Sequence, residues 1–124
     1  MIKGVGIDII EVQRVLEKVN KDNGFKEKIF SKEEIAFCES HASKGEGYAA
    51  RFAAKEAFLK ATGQGLSLGH DLADIVIVND AAGRPFIQLR GSFREEAIRN
   101  EWNKIHLSFS HLQAMACAVV IIEQ

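Results

Sequence analysis

Two carboxylates sit where an apolar environment makes a negative charge costly. Asp8 closes the segment Gly4-Val5-Gly6-Ile7-Asp8 and interrupts an apolar run that resumes at Ile9 and Ile10. Glu56 lies inside R-F-A-A-K-E-A-F-L-K-A-T-G, from Arg51 to Gly63, a stretch dominated by alanine and aromatic residues. An ionised carboxylate without a partner in such surroundings neutralises or acquires a cation. Two of them together suggest a hard divalent metal. Each also has a plainer reading. Glu56 and Lys60 are one helical turn apart and could form a pair that contributes only ~0.3–0.5 kcal/mol if exposed. Asp8 could cap a helix beginning near Glu11. The two glycines ahead of Asp8 favour the metal reading, because they let another backbone or a ligand come close.

The flanking sequence predicts the elements that must hold these residues. Met1 to Ile9 reads as a strand, and Glu11 to Asn20 as an amphipathic helix whose Val12, Val15, Leu16 and Val19 form one stripe. Ser31 and Glu34 make a capping box, so a helix starts there and runs to about Ser40. The central helix, Tyr48 to Thr62, is apolar nearly all round. Ala50, Ala54, Ala57 and Ala61 form one small-residue stripe, and Glu56 sits in a second with Ala49, Phe52, Ala53, Leu59 and Gly63. Arg51 and Lys55 share the remaining face, reaching a polyanion or simply solvated.

Three glycines between Gly63 and Gly69 mark a loop. Ile75 to Val78 and Phe86 to Leu89 read as a hairpin around Gly83-Arg84-Pro85. Phe93 to Trp102 reads as a helix. Ile105 to Ser110 alternates strictly, whereas Ala116 to Ile122 is apolar on both faces, as a central strand is. The order predicts an α+β fold over 1–124, one domain with helices packed on a mainly antiparallel sheet.

Composition narrows the function classes. With 124 residues the chain can bury a core without staples, and a net charge of −1 gives no global attraction to nucleic acid. Charge-driven recognition must then come from a local patch, and Arg14, Lys18 and Lys21 supply one on the side of the first helix away from its apolar stripe. On an ordinary protein such a strip is a solvated face. Two cysteines are too few for a disulfide framework and fit a reducing compartment. No apolar stretch reaches membrane-spanning length and the start lacks signal-peptide features, so a cytoplasmic location without membrane association is expected. A phosphate loop of the G-x-x-x-x-G-K-[ST] kind is missing. His106 and His111 are an odd number apart on a strand and face opposite sides, which argues against a shared zinc.

Three segments, G-V-G-I-D-I-I-E-V-Q-R-V, R-F-A-A-K-E-A-F-L-K-A-T-G and H-L-S-F-S-H, resemble in order and spacing the signatures of the small bacterial phosphopantetheinyl transferases, the holo-acyl-carrier-protein synthases. The resemblance spans essentially the whole chain, and the middle segment is its specific part. It implies transfer of 4'-phosphopantetheine from coenzyme A to a serine of apo acyl carrier protein, with release of adenosine 3',5'-bisphosphate, in support of fatty acid biosynthesis. It implies Mg2+, or Mn2+, held by Asp8 and Glu56, with Glu56 also placed to take the serine proton and Lys60 steadying charge on the phosphates. Coenzyme A would meet Arg51, Lys55, Gly83, Arg84, Pro85, Ser110 and His111. The acidic carrier would dock on Arg14, Lys18, Lys21 and Phe25, and the family forms homotrimers with sites at subunit interfaces. Two departures stand out. Ile10 occupies the position where some larger relatives add a third carboxylate, and Leu112 replaces a commonly polar residue.

Overall fold

The computed structural model describes residues 1–66 and 69–124. The expected loop from Gly63 to Gly69 therefore lies partly outside the described residues. Along the chain run β1 (Ile2–Glu11), α1 (Val12–Asn20), α2 (Phe25–Ile29), α3 (Lys32–Glu39) and α4 (Lys44–Thr62). A single 3-10 turn (Leu72–Asp74), β2 (Ile75–Asn79), β3 (Pro85–Leu89), α5 (Gly91–Arg99), β4 (Lys104–His111) and β5 (Met115–Glu123) complete it. The strands form two antiparallel sheets, a three-stranded one ordered β1-β5-β4 and the β2-β3 hairpin.

β5 is the central strand because both its edges are paired, and its two-sided apolar sequence fits that place. Ala116, Ala118, Val120 and Ile122 are buried on the inner face. There they meet α4, whose Ala53, Ala54, Ala57 and Ala61 are also buried. Alanine lets the helix lie close to the sheet, and glycine lets it lie closer still. A Cβ on Gly4 would stand 1.7 Å from the Ala61 carbonyl oxygen, and one on Gly6 would stand 1.9 Å from that of Ala57. Only a strand without side chains at these two positions fits against α4 at this distance.

α4 is apolar on nearly every side because nearly every side is covered. The Val12 and Leu16 side chains of α1 press on Gly45, and Cys38 of α3 presses on Gly47. Phe93 of α5 and Trp102 meet Phe58 edge-on, each at 5.8 Å between ring centroids. The helix stops at Gly63, which adopts φ 72°, a left-handed conformation that glycine takes without steric cost. The capping box at α3 is formed as expected, with Ser31 Oγ accepting from the Glu34 amide and Glu34 Oε1 accepting from that of Ser31. Differences from the sequence reading are local. α4 starts four residues before Tyr48, α5 spans Gly91–Arg99 rather than Phe93 to Trp102, and the one-turn helix α2 is additional.

Candidate functional site

β1 alternates from Gly4 onward, so Gly4, Gly6, Asp8 and Ile10 turn toward α4 while Val5, Ile7 and Ile9 turn away. The glycine contacts bring the strand close enough for Asp8 to sit beside the face of α4 that carries Glu56 and Lys60. Asp8 and Glu56 line one cavity of about 300 Å³ together with Arg14, Lys18, Phe25 and Phe52.

Neither plainer reading of the carboxylates describes the structure. α1 begins after Glu11 with no side-chain cap, so Asp8 caps nothing. Lys60 does not pair with Glu56. Its ammonium crosses to β1 and donates to Asp8 Oδ1 and to the Ile7 carbonyl, each at 3.0 Å. Glu56 makes no hydrogen bond or ion pair among the described residues. Burial holds its carboxyl above the usual range, the charge of Asp8 adds to the shift, and Lys60 opposes it.

A half-buried carboxylate without a partner, beside a second carboxylate, suits a hard dication. Asp8 and Glu56 supply two oxygen-donor groups, and among the described residues no cluster of three or more His, Cys, Asp or Glu forms. Magnesium accepts such a site, since it retains several waters and takes the rest of its ligands from substrate phosphates. Ile10 occupies the inward position after Asp8. Glu11 alternates to the other face of the strand, approaches Arg14 at 4.0 Å and borders the rim of the same cavity.

The basic strip meets the same cavity in part. Arg14 and Lys18 line it, Lys18 Nζ lies 5.8 Å over the Phe25 ring, and Phe25 stacks on Phe52 of α4 at 6.3 Å. α2 is what presents Phe25 there. Lys21 follows the end of α1, is exposed, and stays away from the cavity lining.

Arg51 and His111 occupy a second cavity of about 210 Å³ on a different side of α4, floored by Phe37 and Phe109. Arg51 is 3% exposed. It lies 4.3 Å over Phe37 and donates through Nη2 to Asn79 Oδ1 at 3.0 Å, while its Nε is buried without a partner among the described residues. Asn79 in turn donates to the Gly83 carbonyl, which joins this cavity to the Gly83-Arg84-Pro85 turn. The sequence reading missed Asn79. His111, inward-facing at the end of β4, approaches Glu46 through Nδ1 at 2.7 Å, whereas His106 on the outer face pairs with Glu123. Ser110 and His111 also border an apolar hollow with Ile9, Leu112, Met115 and Cys117.

Lys55 requires a correction. The sequence reading put it beside Arg51 on a face open to a polyanion, but its side chain is 0% exposed. Its ammonium donates to Glu34 Oε1 at 2.8 Å and to the carbonyls of Leu72 and Ile75 at 2.9 and 2.6 Å. Glu34 completes the network by accepting from the Ile77 amide through Oε2. All three ammonium donors are used inside the protein, so Lys55 has none for a ligand. Burial pulls its pKa down, and the charge of Glu34 opposes that.

Residues 4–120 match the 4'-phosphopantetheinyl transferase superfamily. A holo-[acyl-carrier-protein] synthase of Treponema denticola is 47% identical, with 99% of each chain covered. The crystal structure of the holo-[acyl-carrier-protein] synthase from Neisseria meningitidis superimposes with a TM-score of 0.91 at 30% identity over 100% of both chains. The Helicobacter pylori synthase in complex with coenzyme A superimposes with a TM-score of 0.84 at 30% identity, covering 96% of this chain and 99% of that one. Both structures share the α+β architecture described above.

Proposed function

The chain belongs to the 4'-phosphopantetheinyl transferase superfamily, and we infer that it is a holo-acyl-carrier-protein synthase, moving 4'-phosphopantetheine from coenzyme A to a serine hydroxyl of apo acyl carrier protein. The observation that carries this reading is one cavity holding Asp8 and a Glu56 that has no ionic partner among the described residues, rimmed by Arg14, Lys18 and Phe25. An acidic carrier and a diphosphate are the two ligands such a cavity suits.

The serine oxygen attacks the phosphorus next to pantetheine, the bond from that phosphorus to the bridging oxygen breaks, and adenosine 3',5'-bisphosphate leaves. Asp8 and Glu56 would hold a magnesium ion, or manganese, which would supply charge neutralisation on the diphosphate, most of what phosphoryl transfer requires. Glu56 takes the serine proton. Lys60, bonded to Asp8 across the mouth of the site, swings to the phosphate oxygens as negative charge moves onto the leaving group.

Arg51, His111, Ser110 and the Gly83-Arg84-Pro85 turn form the remaining coenzyme A contacts, with Lys55 withdrawn from that set. Arg51 precedes Glu56 by five positions, roughly 140° around the helix. One chain therefore presents the two cavities in different directions, and a coenzyme A molecule spanning both kinds of contact takes them from two copies. The outer face of the β1-β5-β4 sheet supports such an assembly. Val5, Ile7 and Ile9 are 58%, 66% and 66% exposed there, an apolar strip that a homotrimer would cover. The reaction serves fatty acid biosynthesis in the cytoplasm. Among the described residues no helix is long and apolar enough to cross a membrane.

Incubating the protein with coenzyme A, Mg2+ and apo acyl carrier protein, then weighing the intact carrier, tests the reading. A gain of one phosphopantetheine supports it, and an unchanged mass at saturating substrate defeats it.

A further inference from the structure

His111 has one of its ring nitrogens already assigned. Nδ1 lies 2.7 Å from Glu46 Oε1, and an ionised carboxylate only accepts, so Nδ1 must carry a hydrogen. Nε2 has no partner among the described residues and is the nitrogen left for a ligand. With Nδ1–H in place the ring has two states. In the neutral one Nε2 presents a lone pair, which repels a phosphate oxygen. In the imidazolium Nε2–H donates to it, and Glu46 balances the charge from the other side.

The surroundings leave that role to Glu46. The ionisable groups sharing the cavity with His111 are Arg51 of α4, His41 of the turn after α3 and Cys38 of α3. Cys38 contributes no negative charge, since burial pushes its thiol up to about 11. Cys117 of β5 borders the ring on the outer side. Glu46, from the first turn of α4, is thus the carboxylate that meets the imidazole, 65 residues away along the chain.

We propose that Glu46 is a positioning residue for phosphate recognition. It holds the His111 ring with Nδ1 as a donor and so reserves Nε2 for a phosphate group of the adenosine bisphosphate portion of the substrate. The proposal rests on the assignment of His111 to the coenzyme A site.

Two measurements on the full-length protein separate this role from a structural one. Nitrogen-15 NMR of His111 without ligand reads the tautomer directly. Nδ1–H is expected in the native protein and in Glu46→Gln, whose carbonyl can still accept, but not in Glu46→Ala. A neutral native ring protonated only at Nε2 overturns the proposal. Calorimetric titration with adenosine 3',5'-bisphosphate should show about tenfold weaker binding for Glu46→Ala, the usual scale for losing a charge-assisted hydrogen bond, and a smaller loss for Glu46→Gln. The Glu46→Ala effect should vanish in a His111→Ala background. If His111→Ala binds the probe as tightly as the native protein, the site assignment fails and the proposal with it. If His111→Ala weakens binding but Glu46→Ala does not, the site stands and the role of Glu46 alone is overturned.

Discussion

Lys60 Nζ stands 3.0 Å from Asp8 Oδ1, bridging α4 to β1, and leaves Glu56 one turn back without an ionic partner among the described residues. The lysine neutralises one carboxylate of the pair and keeps the other available. In the free protein it therefore competes with any dication for Asp8, and during the reaction it is a charge that can move. Lys60→Met should separate these effects. Removing the competing ammonium tightens Mn2+ binding measured without coenzyme A. Losing the phosphate contact lowers kcat by about 10²- to 10³-fold, the usual scale for one stabilising donor. A variant that binds Mn2+ more weakly than the native protein would contradict this account of Lys60.

The electrostatics of Glu56 give a stability signature of their own. Its folded carboxyl lies above the unfolded value of 4.5 because burial and Asp8 disfavour the charge. A raised carboxyl contributes stability that is present below the unfolded pKa and is lost as pH rises through the folded pKa. Glu56→Gln should thus melt higher than the native protein in metal-free buffer at about pH 8, with the gap closing as the pH is lowered toward the unfolded value. Adding Mg2+ reverses the order, since a ligand at 100 times its Kd stabilises its native site by ~2.7 kcal/mol. Differential scanning calorimetry across pH reads both changes, and equal melting temperatures without metal would count against the argument.

Lys55 tests the distinction between a ligand contact and a structural one. Lys55→Met alone strands the Glu34 charge in the interior and should cost about 3–5 kcal/mol by urea denaturation. Combining it with Glu34→Gln removes the stranded charge and should restore most of that loss. The KM for coenzyme A should stay at the native value in the double variant, and a tenfold rise would return Lys55 to the substrate site.

The carrier strip is a prediction about rates and salt. Arg14→Glu and Lys18→Glu should each raise the KM for apo carrier protein by about tenfold at low ionic strength while leaving the KM for coenzyme A unchanged. The difference from the native enzyme should shrink as salt is added. Lys21→Glu, one residue beyond α1 and away from the cavity, should have the smallest effect of the three. An equal effect from all three would mean that general surface charge, rather than the rim of the cavity, steers the carrier.

The legibility of the site followed the range of the interactions involved. Gly4, Gly6 and Asp8 announced a close approach because strand alternation puts all three on one face, and the structure supplies the α4 backbone as what approaches. The Ser31–Glu34 box was legible because its partners are three residues apart. The second task of Glu34 was not, since Lys55 lies 21 residues away on another helix. Only the wheel hinted at it, because a lysine on a helix covered on every side must find a buried carboxylate. Asn79 and Glu46 escaped for the same reason, as each acts through a residue 28 or 65 positions distant. α2 has five residues, too few to show a period, and is preceded by Gly24 with φ 84°. Phe25 could be named from sequence, but the turn that aims it could not.

The claim that Asp8 and Glu56 together hold one dication on the coenzyme A diphosphate is tested most directly by a crystal structure with coenzyme A and Mn2+, using the anomalous signal of the metal. The account predicts one peak per site, bonded to an oxygen of Asp8, an oxygen of Glu56 and the diphosphate. A diphosphate bound with its metal on only one of these side chains, or on neither, would contradict it.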